Sequence, residues 1–215
     1  MTEPHPSLVA ADWLKAPALQ HLFAALADAA RETRVIGGAV RNALLGLAVV
    51  DTDLATELLP DEVCARARAK GLGVHPTGIA HGTVTIVSCG VPFEVTTLRR
   101  DVETDGRRAV VAFTRDWRTD AQRRDFTINA LSARADGTIF DYMGGLDDLA
   151  AKRVRFIGAA EERIREDYLR ILRFFRFNSA YADGPPDAAG LAACIALKAG
   201  LAKLSAERIG AEMAT

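Results

Sequence analysis

Val35-Ile36-Gly37-Gly38-Ala39-Val40-Arg41, followed ten residues past the arginine by Asp51-Thr52-Asp53, constrains this 215-residue chain more than any other stretch. It reads as a strand, a glycine turn, a short helix and a second strand carrying two carboxylates. Side chains alternate along a strand, so Asp51 and Asp53 are expected on one face. Two carboxylates side by side repel unless a cation sits between them, and a divalent metal is the usual solution. Paired glycines let backbone N–H groups approach a phosphate closely, and the following helix N-terminus adds its positive dipole end. Metal-holding acids beside a phosphate-cradling turn form the layout of a nucleotidyl-transfer site. Each part also has a plain structural reading: Gly-Gly as a turn, Asp-x-Asp as a solvated strand end or helix cap. Order and spacing together favour the site.

Composition sets the frame. At 215 residues, with 49% hydrophobic and 26% charged residues, the chain can bury a core of ordinary globular size. No apolar run approaches the ~20 residues that span a bilayer. The start, Met1-Thr2-Glu3-Pro4-His5, is acidic and lacks the apolar region of a signal peptide. Three scattered cysteines (Cys64, Cys89, Cys194) point to free thiols in a reducing cytoplasm. The four histidines lack metal-ligand spacing, which argues against zinc. Net charge is −1, but Arg99–Arg124 holds eight arginines against five acids and Lys152–Arg176 eight basic residues against four acids. Such clustering suits a surface that handles polyphosphate or RNA, although solvated helix faces produce the same pattern.

Periodicity orders the chain. Pro17–Arg31 carries a helical apolar stripe, Arg34–Val40 is a strand, Asn42–Leu47 a short helix and Val49–Leu54 the second strand. Pro60-Asp61-Glu62 opens a helix that runs to Lys70 and stops at Gly71. Thr83–Ser88 and Phe93–Leu98 flank Cys89-Gly90 as an antiparallel hairpin. Arg99–Thr119 reads as a mobile loop, Arg123–Ala133 as helix and Gly137–Tyr142 as a last strand. Asp141-Tyr142-Met143-Gly144-Gly145 reads as the exit from the first domain. The chain after Asp147 reads as helix, broken at Ala182–Pro186, and ends inside a helical pattern, which suggests a piece of a longer protein.

Three further groups carry chemistry. Glu94, on the later hairpin strand, stands where a third carboxylate joins a two-metal site, or where a surface strand residue stands. Arg123-Arg124-Asp125-Phe126-Thr127-Ile128-Asn129 places adjacent arginines for triphosphate oxygens, while Asp125 and Asn129, four apart, share a face that can meet a ribose. Asp125 is equally suited to capping a helix. In Glu166-Asp167-Tyr168-Leu169-Arg170, Asp167 and Arg170 lie three apart on one helix. There the aspartate can accept from the amino group of cytosine or adenine while the arginine donates to the adjacent ring position, and uracil and guanine present the opposite polarity. A helix-surface ion pair is the alternative. By helical geometry Arg176 points nearly opposite Asp167, so phosphate contact or structural pairing suits it better.

Together these blocks resemble the class II nucleotidyltransferases, the family of bacterial CCA-adding enzymes and poly(A) polymerases. Gly37-Gly38-Ala39-Val40-Arg41-Asn42 with Asp51-Thr52-Asp53, Arg123-Arg124-Asp125 and Glu166-Asp167-Tyr168-Leu169-Arg170 match its motifs. Asn42 departs from the family's aspartate and Tyr168 from its frequent proline. The resemblance implies an α+β fold: a polymerase-β-like nucleotidyltransferase head with a small mixed sheet over residues 1–145, then a helical neck over 146–215, incomplete at its end. It implies Asp51 and Asp53 as ligands of Mg2+ and Glu94 as the accompanying acid. Gly38, Arg41, Arg124 and Asp125 are implied to contact the nucleotide, with Asp167 and Arg170 selecting C and then A. Arg173 and Arg176 align with further nucleotide-contacting arginines, and Arg99–Thr119 with the family's flexible loop. The implied reaction adds CCA to the tRNA 3′ end from CTP and ATP, in the cytoplasm, with no membrane or obligate protein partner. A poly(A) polymerase, an A-adding relative, or a truncated non-catalytic nucleotide-binding module are the alternatives.

Overall fold

The computed structural model describes residues 7–105 and 108–214. Helix α1 (Pro17–Leu26) buries Leu19, Leu22, Phe23 and Leu26. It stops five residues short of the expected Arg31 because the Asp28 carboxylate accepts from the Ala30 N–H, a local turn that competes with the helix. Strand β1 (Thr33–Ile36) enters the glycine turn, and α2 (Gly38–Leu44) leaves it. Strand β2 (Asp53–Thr56) begins later than the sequence pattern indicates. Its first residue pairs with Ile36. Gly37 then turns out of the strand at φ 66°, ψ −121°, so residues before Asp53 have no partner to extend the ladder. Asp51 therefore precedes the strand, and the expected same-strand placement of Asp51 and Asp53 is corrected.

Helix α3 (Pro60–Ala69) starts at its proline, with Glu62 reaching back to the Leu59 N–H at 2.9 Å. Strands β3 (Gly73–Gly78), β4 (Thr83–Ser88) and β5 (Val91–Thr97) follow, the last two forming the hairpin expected around Cys89-Gly90. The stretch expected to be a loop is instead a ribbon, β6 (Arg99–Asp105) against β7 (Arg108–Phe113), closed at its root by Thr114 N–H donating to Leu98 O. It then enters α4 (Trp117–Gln122), whose N-cap is Asp116.

The Arg123–Ala133 segment is not a helix. Its backbone bonds go to a distant stretch, Thr127 N–H to Arg155 O and Ile157 N–H to Asp125 O. Only a 3-10 turn forms at Thr127–Asn129, before β8 (Ser132–Ala133) and β9 (Ile139–Phe140). Helices α5 (Gly145–Ala150), α6 (Ala160–Glu166), α7 (Leu169–Tyr181), α8 (Ala188–Leu197) and α9 (Ala206–Met213) complete the chain.

Seven strands form one sheet in the order β3-β4-β5-β2-β1-β8-β9. Every pairing is antiparallel except β2 with β5, where Leu54 faces Val95. The β6–β7 ribbon stands apart from this sheet. One core runs from Leu8 through the sheet to Cys194. Its join to the helices is aromatic: Phe126 lies 4.8 Å from Phe156 and 5.2 Å from Phe177, and Phe156 stacks 5.3 Å from Phe174. The fold is thus α+β, a largely antiparallel sheet followed by helices. Among the described residues no helix is long and apolar enough to cross a membrane, and the three cysteines are unpaired.

Candidate nucleotidyl-transfer site

A cavity of about 840 Å3 opens where the glycine turn, the start of β2, the Arg123–Asn129 segment and α7 converge. The Ile36–Asp53 pairing brings Gly37 and Asp53 to the same end of the sheet. The Arg124 guanidinium lies across the turn, 3.9 Å from where a Cβ on Gly37 would stand. Asp53 is solvent-exposed along the cavity, with protein close enough around it to desolvate its carboxyl in part. That desolvation pushes its carboxyl above the ordinary carboxylate range, Glu94 and Asp51 push it further, and Arg124 opposes them. No hydrogen-bond donor within the described residues reaches the Asp53 carboxylate. A carboxylate so placed, without a donor and beside like charges, suits a divalent cation.

Three or more His, Cys, Asp or Glu side chains grouped closely enough to cage an ion do not occur among the described residues. Glu94 stands on β5 one residue before the Leu54–Val95 pair, exposed and outside the cavity lining. It acts on Asp53 by charge.

Arginines line the same cavity, several of them held by buried carboxylates. Asp120 is buried and accepts from Arg123 Nε at 3.2 Å, Arg124 Nη2 at 3.0 Å and the Arg99 N–H at 3.2 Å. Burial alone would raise its carboxyl, but Arg124 and Arg123 hold it below the usual range. Asp125 is buried too and accepts from Asn129, from the Phe126 N–H and, at 2.7 Å, from Arg173 Nε. Burial raises it, and Arg173 outweighs that. In the structure this carboxylate braces an arginine. Glu212, buried on α9, takes Arg176 Nε at 2.5 Å and Arg173 Nη1 at 3.5 Å.

The α6–α7 junction lines the cavity as well. Asp167 does not share a helix with Arg170: its extended backbone, φ −155° and ψ 108°, separates α6 from α7. Its Oδ1 accepts from the Leu169 N–H at 3.1 Å and its Oδ2 from Arg208 at 2.8 Å. Arg170 pairs with Glu166 at 2.5 Å, so no Asp167–Arg170 ion pair forms. The break seats Tyr168 against Gly200, where any Cβ would collide with the ring. Because Asp167 lies outside the helix, the angular argument against Arg176 does not apply, and Arg176 lines the cavity with Arg170 and Arg173.

Asp51, Asp53, Gly38, Arg41, Arg124, Asp125, Asp167, Arg170, Arg173 and Arg176 thus meet in one cavity, and Glu94 stays outside its lining. Tyr181 and Arg208 also line it and were not singled out by motif. The signal for α9 was present in its charges: Arg208 and Glu212 are four apart, on one helix face.

Residues 33–155 match the family model described as poly A polymerase head domain. The chain belongs to the poly(A) polymerase head-domain family. It is 47% identical over 185 residues to the mitochondrial CCA tRNA nucleotidyltransferase 1 of Homo sapiens, covering 85% of this chain and 43% of that protein. The structure of the Bacillus stearothermophilus CCA-adding enzyme in complex with CTP superposes with a TM-score of 0.81 at 35% identity, covering 92% of this chain and 48% of that one. A tRNA nucleotidyltransferase complexed with a primer tRNA and an incoming ATP analogue superposes with a TM-score of 0.70 at 30% identity, over 86% of this chain and 52% of that one. This head-domain chain therefore spans just under half the length of the human relative.

Proposed function

We propose that this chain is the nucleotidyl-transfer part of a CCA-adding enzyme, which extends the 3′ end of tRNA with C, C and A taken from CTP and ATP. The observation that carries this is the cavity itself, lined together by Asp51 and Asp53, by Arg41, Arg124, Arg173 and Arg176, and by Asp167 with Arg170. Gly38, Arg41, Arg124, Arg173 and Arg176 hold the triphosphate. Asp167 and Arg170 face the incoming base and favour the edge shared by C and A. The primer 3′-hydroxyl attacks the α-phosphorus, and pyrophosphate leaves toward the arginines. Asp51 and Asp53 would hold Mg2+, which would lower the pKa of the attacking hydroxyl and neutralise charge at the leaving group. Glu94 adds negative charge beside them. The division into a head over 1–145 and a helical neck over 146–215 belongs to this reading, as does a cytoplasmic setting, for which the unpaired cysteines speak.

The test is incubation of the chain with magnesium and a tRNA lacking its 3′ CCA, offering each nucleotide alone and then CTP with ATP. Two Cs, one A and arrest are expected, with at least a thousand-fold loss, roughly 4 kcal/mol of barrier, in Asp53→Ala. A long A run would make the chain a poly(A) relative. CTP binding without any transfer would make it a binding module.

A further inference from the structure

Arg41 differs in kind from the other arginines of the cavity. Arg124 has Asp120, Arg170 has Glu166, Arg173 has Asp125, Arg176 has Glu212 and Arg208 has Asp167. Arg41 is more deeply buried, 6% exposed. Its hydrogen bonds all end on neutral oxygens: Nε and Nη2 on Asn42 Oδ1 at 3.1 and 2.9 Å, Nη1 on Asn129 Oδ1 at 2.5 Å, and Nη2 on the Tyr181 hydroxyl at 2.8 Å. A buried cation without a counter-ion is costly unless dipoles and ring faces replace water. Here two rings do so, Tyr181 at 4.1 Å and Phe177 at 5.2 Å.

Burial holds the Arg41 guanidinium below its ordinary range; Tyr181 and Asp125 oppose that, and Arg176 and Arg173 add to it. Four of its five N–H groups are engaged by those bonds. One N–H on Nη1 remains for a ligand, and the positive charge is not cancelled by an adjacent carboxylate. The group is thus aimed and kept positive, as an anion-binding arginine requires. Asn42 is its chain neighbour and Asn129 comes from the 3-10 turn. Of the groups that accept from it, Tyr181 is the one that comes from α7, and its ring lies closer than that of Phe177.

We propose that Tyr181 is a positioning residue for the nucleotide's phosphates, fixing the Arg41 guanidinium from the last turn of α7 so that its free N–H and charge face the triphosphate. This rests on the reading of the cavity as a nucleotide site. Tyr181→Phe removes the accepting hydroxyl and keeps the ring, whereas Tyr181→Leu removes both.

The test measures binding of CTP and of cytidine to the full chain by calorimetry, with melting temperature alongside. For Tyr181→Phe, CTP is expected to bind about five-fold more weakly, ~1 kcal/mol, with cytidine unchanged within about two-fold and the melting temperature within about 2 °C. Tyr181→Leu is expected to lose about twenty-fold for CTP. Unchanged CTP affinity in Tyr181→Phe, or CTP and cytidine weakening together, would overturn the assignment while leaving the nucleotide site standing. If the unsubstituted chain binds neither ligand, the nucleotide reading fails and the assignment falls with it.

Discussion

Because burial, Glu94 and Asp51 push the Asp53 carboxyl up while Arg124 alone pulls it down, ionising it costs the folded chain more than the unfolded one. A raised folded-state pKa favours the fold below the unfolded value and loses that contribution as pH rises through the folded one. At neutral pH Asp53 is therefore a local liability that the proposed function requires. Asp53→Asn keeps the shape and removes the charge, so in metal-free buffer at pH 7 it is expected to raise the melting temperature by about 1–3 °C. The gain should fade below about pH 4, where both states carry the proton. Millimolar magnesium should then stabilise the unsubstituted chain and leave Asp53→Asn unmoved. Thermal melts across pH, with and without magnesium, check this; a destabilised Asp53→Asn at pH 7, or equal magnesium shifts, would contradict it.

Between elements, the proposed recognition of the base depends on a residue held from two directions. Asp167 occupies the break between α6 and α7, its Oδ1 fixed by the Leu169 N–H and its Oδ2 by Arg208 of α9. Removing Arg208 frees one oxygen and lets the carboxylate rotate off the base edge. Arg208→Ala is expected to lower the preference for CTP over UTP by about ten-fold, ~1.4 kcal/mol, with a smaller change in the rate for CTP. Asp167→Ala should relax it further, and single-turnover incorporation of each nucleotide measures both. Unchanged discrimination in Asp167→Ala would remove the base-reading role altogether. This junction also marks where sequence pattern stops informing. Helix α3, between Pro60 and Gly71, and the hairpin around Cys89-Gly90 declare themselves because their signals are local. The Arg123–Ala133 segment looks helical by local pattern, but its hydrogen bonds go to Arg155 and Asp125–Ile157 pairing, some thirty residues away. Asp51 falls outside β2 because the partner strand turns at Gly37, and the β6–β7 ribbon hides behind charges that mask its alternation. Most residues that meet in the cavity were legible from motifs, with Glu94 outside it and Tyr181 and Arg208 added; that Asp125 braces Arg173 and Tyr181 meets Arg41 depends on contacts no local spacing encodes.

Across the whole molecule, sheet and helices are tied by buried carboxylates that have to remain charged. Asp148 of α5 is the clearest case, its side chain wholly buried. It accepts from Thr127 Oγ1 at 2.5 Å, Arg153 Nε at 2.8 Å and Arg155 Nε at 3.0 Å, so it pins the 3-10 turn to the irregular segment 153–157, which exchanges backbone hydrogen bonds with Asp125 and Thr127. Burial raises its carboxyl, but Thr127, Arg153 and Arg155 outweigh burial and hold it below the usual range. Asp120 and Asp125 are lowered in the same way. A lowered folded-state pKa gives stability that is complete above the unfolded value, about 3.9, and lost as pH falls through the folded one. Acid should therefore loosen the turn that carries Asp125 and Asn129, and with it the bracing of Arg173 and Arg41. Asp148→Asn leaves two guanidinium groups without their charge partner. Since both arginines are partly open to water, the cost at pH 7 is set at about 2–3 kcal/mol, below the full buried-pair value, or a melting temperature lower by roughly 5–10 °C. The two melting curves should converge as pH is taken from 7 toward 3, because the unsubstituted chain gives up the same contribution when Asp148 protonates. A gap that stays constant to pH 3 would mean that Asp148 acts through shape and hydrogen bonding alone.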